Sequence, residues 1–423
     1  EALQQQAAVP LLGTARCIWL HPAHNCITLL VVISLTMISL PTHAFKHLST
    51  PFYYYDEGML RATLDALNEQ LAQHPNFIVH YAVKANANKR ILQTMKAAGL
   101  GVDCVSGGEI EAALRAGFNG DSIVFAGVGK SDWEIKLALE NGIFCFNVES
   151  TEELEVIEQL CNELNRTADV CLRVNPNVAA HTHAKITTGL AENKFGIPID
   201  QVWPTIERLQ VLKHIRFIGL HFHIGSQIVD MNDFREVCTS VNSLLNLLKQ
   251  HGIEPEHINV GGGLGIDYDN PDTHAIPDFK AYFDTYARHL QLNENQKVHF
   301  ELGRALVGQC GWLVSRVLYV KQGQSKRFLI LDAGMNDLLR PALYHARHQI
   351  LNLSNPSAPS EVYDVVGPVC ESSDVFGSDV VLPASHRGHL VAICSAGAYG
   401  EAMASQYNCR QLPKSYFSND LNI

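Results

Sequence analysis

The most constraining feature of the sequence is a regular alternation from Phe77 onward, in which short runs of β-branched residues are followed by amphipathic segments. Strands joined by helices pair in parallel, because the crossover returns the chain to the same end of the sheet. The candidate strands are 78–85, 102–106, 123–126, 144–148, 170–174, 217–223, 258–260 and 298–301, and helical stretches include 89–98, 109–116, 151–165, 234–250 and 279–290. Eight such βα steps predict an α/β fold, the (β/α)8 TIM barrel.

After Gly311 the pattern changes to strand-like segments without long helices between them, at 312–320, 328–332, 362–366 and 390–394. This indicates a separate C-terminal β domain, of sandwich or barrel-like form. The aromatic run Tyr53 to Tyr55 is expected to join it. The predicted division is therefore an extension at 1–45, a barrel at 75–310, and a β domain made of 46–74 and 311–423.

The N-terminal extension contains an apolar run at 26–40, which is shorter than the roughly 20 residues that a membrane span needs. Three interpretations stay open. Residues 1–36 are translated upstream sequence, since Met37 stands shortly before the globular pattern; or the run is the core of a signal peptide; or it belongs to a disordered or membrane-touching tail.

Composition and charge exclude several classes of function. The net charge is -11, and its acids and bases are dispersed, so we expect no nucleic-acid partner. The eleven cysteines form no CxxC pair and no Cys/His ladder, so neither a disulfide framework nor a metal site is indicated. A cytoplasmic, reducing location fits best, and no membrane partner is expected.

Reactive groups of a TIM barrel sit at the C-terminal ends of its strands. The first predicted strand ends in Tyr81-Ala-Val-Lys84-Ala-Asn86, which places Lys84 in an apolar strand. Desolvation lowers the pKa of such an amine and makes it a nucleophile toward an aldehyde. The alternative is a lysine whose charged end reaches solvent at the barrel mouth.

The sixth predicted strand ends in His-Phe-His-Ile-Gly-Ser-Gln, where alternation puts His221 and His223 on one face and Ser226 in the turn beyond. A histidine there can stack on a flat ring, although a buried core histidine is the simpler interpretation. The seventh strand runs into a glycine segment whose backbone amides can approach a phosphate closely, formed by Gly261, Gly262, Gly263 and Gly265.

The eighth predicted strand ends in Phe-Glu301-Leu-Gly-Arg304, which puts a carboxylate at the barrel mouth. A carboxylate that faces the pyridine nitrogen of pyridoxal phosphate keeps that nitrogen protonated. A simple salt bridge is the alternative for Glu301 alone. The lysine, histidine, glycine segment and carboxylate together favour a cofactor site.

These residues resemble the cofactor motifs of the barrel-type pyridoxal-phosphate decarboxylases, which share their fold with alanine racemase, and the resemblance spans roughly residues 50 to 418. It implies that Lys84 holds the aldehyde of pyridoxal 5'-phosphate, that His223 stacks on the ring and that Glu301 meets the ring nitrogen. It also implies cofactor contacts from Ser226, Gly261, Gly262, Gly263, Gly303, Arg304 and Tyr399.

Three later motifs resemble the branch of this family that decarboxylates meso-2,6-diaminopimelate to L-lysine and CO2, the last step of lysine biosynthesis. They are the run from Asp332 to Tyr344, Cys370-Glu-Ser-Ser-Asp374, and Ala396-Gly-Ala-Tyr399-Gly. The resemblance implies that Arg304, Arg340 and Tyr344 bind a substrate carboxylate. Glu371 would contact an amino group, and Tyr399 would serve both cofactor and substrate.

The same resemblance makes Cys370 the proton donor after CO2 leaves, which a thiol can do if its pKa is suitable. In the family, Cys370 and Glu371 reach the active site of the neighbouring subunit, which implies a homodimer with shared active sites. One departure is Leu302, where the family usually has proline. It changes local stiffness and leaves both charged groups in place.

Other functions stay open on the same fold. A sister decarboxylase would act on ornithine, arginine or carboxynorspermidine, but Arg340 together with Glu371 argues against those substrates. A racemase lacks the Cys-Glu-Ser-Ser-Asp motif. A non-catalytic regulator would be favoured by loss of Lys84 or Cys370, and both are present.

Overall fold

The computed structural model describes residues 40–176 and 194–421, so the apolar run and nearly all of the predicted extension lie outside the described residues. The helices are α1 (Thr42–Phe45), α2 (Glu57–Leu71), α3 (Lys89–Ala97), α4 (Gly107–Ala116), α5 (Asp132–Glu140), α6 (Thr151–Leu164), α7 (Ile199–Leu209), α8 (Met231–Gln250), α9 (Phe279–His289), α10 (Arg304–Val307) and α11 (Arg340–Tyr344). The strands are β1 (Phe52–Tyr55), β2 (Phe77–Ala82), β3 (Gly101–Cys104), β4 (Ile123–Phe125), β5 (Cys145–Val148), β6 (Ala168–Asn175), β7 (Ile197–Pro198), β8 (Ile215–His221), β9 (His257–Asn259), β10 (Lys297–Leu302), β11 (Gly311–Gln322), β12 (Arg327–Leu331), β13 (Ile350–Asn352), β14 (Ser360–Val366), β15 (Val375–Pro383), β16 (Leu390–Ile393) and β17 (Lys414–Phe417).

Eight parallel strands close into a barrel in the order β5, β4, β3, β2, β10, β9, β8 and β6, and β6 pairs back with β5. The short strand β7 pairs with β6 in addition. Every predicted barrel strand is present, with small shifts at its ends. The TIM-barrel prediction is therefore confirmed.

Alternation along β10 shows how the barrel strands sort their side chains. Phe300 packs outward against Tyr282, Phe283 and Tyr286 of α9, with ring centroids 5.0 to 5.7 Å apart. Glu301 faces inward, where it meets side chains from β5, β8 and β9. A period of two residues thus puts an aromatic core on one face of the strand and polar groups inside the barrel.

Polar side chains fix where several outer helices begin. The Ser106 hydroxyl accepts a hydrogen bond from the N–H of Glu109 at the start of α4, and Ser150 accepts from Glu153 at the start of α6. Each cap satisfies a backbone donor that has no partner inside its helix. Only two residues separate each of these helices from the strand before it.

The rest of the described chain forms a second, mixed sheet in the order β13, β16, β11, β12, β14 and β15. Strand β1 pairs antiparallel with β11 and parallel with β17, so the Tyr53 to Tyr55 run joins this sheet as expected. The prediction of a separate β domain is confirmed. Helix α2, which the predicted division grouped with it, contacts α9 of the barrel, and the exact domain boundaries stay a prediction.

Three further observations concern the described part of the chain. Its helices include none that is long and apolar enough to cross a membrane. No group of three or more His, Cys, Asp or Glu side chains within it is placed to hold a metal ion. Its nine cysteines are free, and seven of them are buried.

Candidate active site

A cavity of about 1110 Å³ opens at the carboxyl ends of the barrel strands. Its volume is at the upper end of what small-molecule sites require, which leaves room for a cofactor and a substrate together. The predicted site residues that line it are Lys84, His223, Ser226, Glu301, Arg304, Arg340, Tyr344 and Tyr399. Six other predicted site residues are not among the described residues that line the cavity: Gly261, Gly262, Gly263, Gly303, Cys370 and Glu371.

Lys84 lies in a 3-10 turn directly after β2, and its side chain keeps 38% of its surface accessible because it faces the cavity. Its Nζ lies 3.3 Å from Oδ2 of Asp103, a carboxylate on β3 that is completely buried. Burial lowers the pKa of Lys84, but the attraction of Asp103, Tyr399 and Glu301 outweighs it and raises the pKa. The expectation of a lowered lysine pKa was therefore wrong for the protein without cofactor, because a sequence pattern does not show the opposing charges.

Glu301 is the centre of a buried hydrogen-bond network at the end of β10. Its Oε1 accepts from the side-chain amides of Asn147 at 3.1 Å and Asn259 at 2.8 Å, and its Oε2 lies 3.1 Å from Nε2 of His221. Burial opposes the negative charge, but His221 and then Lys84 outweigh burial and hold the pKa of Glu301 well below its usual range. The carboxylate is thus ionised inside the barrel.

His223 follows β8 at the cavity wall. The backbone N–H of Gly262 donates to its Nδ1 at 3.3 Å, so Nδ1 carries no proton and the neutral ring is protonated at Nε2. Burial, together with the positive charges of Lys84 and Arg173, lowers the pKa of His223 well below its usual range. A neutral, flat imidazole at the cavity wall suits ring stacking better than a charged one does.

The glycine segment after β9 passes between the ends of two neighbouring strands. A Cβ on Gly261 would lie 2.4 Å from the carbonyl oxygen of Phe222, and a Cβ on Gly262 would lie 1.9 Å from that of Glu301. Gly261 also has a φ of +70°, which favours glycine. Backbone packing alone thus demands these glycines, and the phosphate contact expected from them stays a prediction.

Arg304 is buried beside the cavity with both terminal nitrogens engaged. Its Nη2 donates to the Ser226 hydroxyl at 2.9 Å, and its Nη1 donates to the Tyr268 hydroxyl at 2.5 Å. The Tyr399 ring lies 4.9 Å from its guanidinium carbon. Its Nε is buried and has no partner among the described residues.

Arg340 approaches the same tyrosine from α11. Its guanidinium carbon lies 4.7 Å from the Tyr268 ring centroid, and its Nη1 donates to Nε2 of His348 at 2.8 Å. Arg340 and Arg304 are 5% and 6% exposed. Among the described residues, the hydrogen-bond partners of both guanidiniums are neutral groups. Two buried cations that lack an acidic partner make this part of the cavity a site for an anion.

Tyr399 has a left-handed backbone conformation, with a φ of 56°. Its N–H donates to the carbonyl oxygen of Ala85, next to Lys84, at 2.8 Å. A strained non-glycine residue persists where its surroundings hold it, and such residues cluster at functional sites. This bond fixes the Ala396 to Tyr399 motif against the turn that carries Lys84.

Cys370 and Glu371 are exposed on a well-fixed loop. The Asp374 carboxylate accepts from the backbone N–H groups of Met335 and Val369, both at 2.7 Å, and so closes the loop. The Tyr407 hydroxyl donates to Glu371 at 2.5 Å. Neither residue is among the described residues that line the cavity of its own chain.

The donor set of the cavity fits pyridoxal phosphate. A lysine amine is available for an aldehyde, the Ser226 hydroxyl suits a phosphate, and the buried Glu301 carboxylate suits a protonated ring nitrogen. Each of these groups has a partner of matching charge or hydrogen-bonding capacity in that cofactor.

Comparison with known families agrees with this donor set. The model of the pyridoxal binding domain of pyridoxal-dependent decarboxylases matches residues 58–308, more than half of the chain. The chain therefore belongs to the pyridoxal-dependent decarboxylases, and its cofactor is pyridoxal phosphate.

Individual relatives show which family of pyridoxal-dependent decarboxylases the chain belongs to. Diaminopimelate decarboxylase of Bacteroides thetaiotaomicron is 60% identical over 90% of this chain and 98% of that protein. The structure of the Helicobacter pylori enzyme complexed with L-lysine superimposes with a TM-score of 0.84 at 39% identity, covering 90% of this chain and 94% of that one. The M. jannaschii enzyme in complex with L-lysine gives a TM-score of 0.80 at 36% identity, covering 88% of each chain. Within the pyridoxal-dependent decarboxylases, the chain is a member of the diaminopimelate decarboxylase family.

Several groups of the site escaped the sequence analysis. Asp103 and Asn259 face the barrel interior and could have been found by extending the alternation argument to β3 and β9. Tyr268 and His348 lie in loops outside any periodic pattern. Their place beside the arginines depends on how the mixed sheet meets the barrel mouth.

Proposed function

We propose that this protein decarboxylates meso-diaminopimelate to L-lysine and CO2 with pyridoxal phosphate. The observation that carries the proposal is a single cavity that holds a lysine amine together with two buried guanidiniums without an acidic partner among the described residues. The relatives that bind L-lysine support it, because lysine is the expected product. The free cysteines of the described chain favour a reducing compartment, and we propose the cytoplasm.

Four of the cavity groups serve the cofactor in this proposal. When bound, pyridoxal phosphate supplies an electron sink for the bonding pair that CO2 leaves behind. Lys84 holds the aldehyde, since it is the one lysine among the described lining residues. Glu301 stays ionised and keeps a proton on the ring nitrogen, while neutral His223 covers the ring face and Ser226 binds the phosphate.

The two arginines select the substrate. Diaminopimelate has an amine and a carboxylate at each end, so one end can react while the other is held. Arg304 and Arg340, with Tyr344 beside them, bind the carboxylate that is retained. A guanidinium presents a planar fork of donors that matches a carboxylate, which favours this substrate over one without a second carboxylate.

The remaining two residues act across a dimer in this proposal. Cys370 of the partner subunit donates a proton to the substrate carbon, and Glu371 of the partner subunit binds the distal amine. Both are exposed on a loop that Asp374 holds in place, and neither is among the described residues that line the cavity of its own chain. A homodimer with shared active sites would bring them to a neighbouring cavity.

The first test is release of CO2 and L-lysine from meso-diaminopimelate with added pyridoxal phosphate. Ornithine, arginine and carboxynorspermidine are run beside it, and Lys84→Ala is the inactive control. Lysine formation from diaminopimelate alone supports the proposal. Turnover of another substrate overturns the substrate assignment, and no turnover by a folded, cofactor-bound protein favours a non-catalytic role.

The shared site is tested by mixing two inactive variants, Lys84→Ala and Cys370→Ala. Half of the reassociated dimers are mixed, and each mixed dimer has one intact site, so roughly a quarter of the wild-type activity should return. Recovery at that level supports the shared site. If subunits exchange, as shown by differently tagged chains, and activity does not return, each site is complete within one chain.

A further inference from the structure

Tyr268 and His348 lie between and behind the two arginines of the cavity. The Tyr268 ring centroid is 4.7 Å from the guanidinium carbon of Arg340 and 5.8 Å from that of Arg304. The rings of Tyr268 and His348 meet edge to face at 4.9 Å. We infer that Tyr268 and His348 are positioning residues that hold the two guanidiniums as one clamp for the retained substrate carboxylate. This inference rests on the proposed function.

Two like charges in one buried place repel each other, so something must hold them there. Burial lowers the pKa of Arg340, and the neighbouring Arg304 lowers it further, while Tyr268 raises it. The electron-rich face of an aromatic ring attracts a cation within about 6 Å, and here a single ring is within that distance of both cations. Tyr268 therefore offsets part of the repulsion.

The hydroxyl of Tyr268 also sets the orientation of Arg304. It accepts from Nη1 at 2.5 Å while Ser226 accepts from Nη2 at 2.9 Å, so the plane of the guanidinium is fixed at two points. Those two bonds determine the orientation of the guanidinium group, which lines the cavity. Removal of the hydroxyl alone should loosen Arg304 and leave the ring contact with Arg340 in place.

His348 fixes Arg340 through one defined tautomer. Its Nδ1 lies 2.8 Å from the carbonyl oxygen of Cys394, which can only accept, so Nδ1 carries the proton. Its Nε2 is then a lone-pair acceptor for Nη1 of Arg340 at 2.8 Å. Burial and the charge of Arg340 lower the pKa of His348 to about 3, so Nε2 remains an acceptor at neutral pH.

A clamp of this kind determines specificity through the carboxylate. A site with fixed charged donors loses their binding energy when the substrate lacks the matching group. L-lysine and cadaverine differ by one carboxylate, so they are a matched pair of inhibitors for measuring the clamp. A displaced arginine should weaken lysine binding and leave cadaverine binding nearly unchanged.

The test compares two matched pairs of variants of the cofactor-bound enzyme. His348→Leu removes donor and acceptor, whereas His348→Gln retains both kinds of group; Tyr268→Leu removes ring and hydroxyl, whereas Tyr268→Phe retains the ring. Because a hydrogen bond to a charged group contributes about 1.5–3 kcal/mol, we expect the leucine variants to raise the KM for diaminopimelate and the inhibition constant of L-lysine roughly 10- to 100-fold. The kcat and the inhibition constant of cadaverine should change less than about threefold. For His348→Gln and Tyr268→Phe, the KM and the inhibition constant of L-lysine should lie between those of the wild type and those of the leucine variants.

Controls separate this inference from folding and from the proposed function. The cofactor absorbance and the melting temperature report on the fold, and Tyr319→Phe, at an exposed tyrosine of the mixed sheet, controls for loss of a hydroxyl. Equal shifts for lysine and cadaverine, or no shift in a folded variant, would overturn the clamp. Failure of the wild type to act on diaminopimelate would instead overturn the proposed function.

Discussion

Two buried polar clusters lie two residues apart along β10, and they differ in charge. The mouth cluster consists of Glu301 with Asn147, Asn259 and His221. The floor cluster, nearer the amino ends of the strands, consists of His299 with His80 and His257. Both clusters face the barrel interior, because residues two apart on a strand share a face. The mouth cluster contains an ionised carboxylate, and the floor cluster contains only imidazoles.

The difference shows what a buried charge requires. Glu301 remains ionised because it accepts three hydrogen bonds and lies near Lys84. The floor histidines bond to one another, with His299 joined to His80 and to His257 at 2.9 Å each. Burial lowers the pKa of His80 to about 4 and lowers that of His299 well below its usual range. Burial thus opposes charge in both clusters: the carboxylate at the mouth stays charged because its partners outweigh burial, whereas the histidines at the floor are neutral.

The largest effect should follow from Glu301→Gln, which keeps the shape of the mouth cluster and removes its charge. We expect kcat to fall about 10²- to 10³-fold, the range seen when one electrostatic contact to the reacting system is lost. Steady-state decarboxylation measures it, with the melting temperature as control for folding. A fall of less than tenfold would mean that the charge at the mouth has no special role.

At the floor, His299→Leu removes the central ring and leaves the buried His80 and the half-buried His257 without their partner. Unfolding in denaturant should show a loss of about 2–3 kcal/mol, the cost of stranded polar groups, while kcat stays within about twofold. His299→Gln is the matched control, since it retains a donor and an acceptor. If kcat falls as far as in Glu301→Gln, the two clusters act as one unit and the comparison fails.

Sequence reasoning found the mouth better than it found the floor. The barrel and the strand-end positions of Lys84, His223 and Glu301 followed from periodicity and motif, because the period of a strand determines which side chains share a face. The floor histidines were not recognised as a cluster. Their bonding depends on the register between β2, β9 and β10, which the order of residues along one strand does not contain.

The same limit applies to the outer part of the site. The motif that contains Cys370 and Glu371 was recognised, yet neither residue is among the described residues that line the cavity of its own chain, and their contribution to a neighbouring one stays a proposal. Tyr268 and His348 carried no motif at all. Contacts between loops of distant sequence position depend on tertiary packing, which a single sequence does not reveal by pattern.

Acid should weaken the fold through the floor cluster. The pKa of His80 is about 4 in the folded protein, whereas an unperturbed histidine has a pKa of 6.5. The unfolded chain therefore binds more protons than the folded protein between these two pH values. The free energy of unfolding should therefore be highest above about pH 6.5 and should fall as the pH drops toward 4. His80 should account for a loss of about 1–2 kcal/mol between pH 7 and pH 5. Denaturant unfolding at both pH values measures it. His80→Gln should show a smaller difference between the two, and an unchanged difference would assign the acid sensitivity to other groups.

The smallest effect should come from Asp103→Asn, which reduces the charge at the mouth without touching Glu301. Asp103 raises the pKa of Lys84, so the lysine of the cofactor-free protein has a smaller fraction of free amine at neutral pH than an ordinary lysine has. Without that carboxylate the pKa of Lys84 should fall, because Asp103 contributes the largest attraction that opposes burial. The rate of pyridoxal phosphate capture near neutral pH should then rise, by up to about tenfold for each unit of pKa, because only the free amine reacts with an aldehyde. Stopped-flow absorbance over a range of pH measures this rate, with Lys84→Ala as the blank. An unchanged pH profile would show that Asp103 does not control the amine, and would assign the raised pKa of Lys84 to Tyr399 and Glu301.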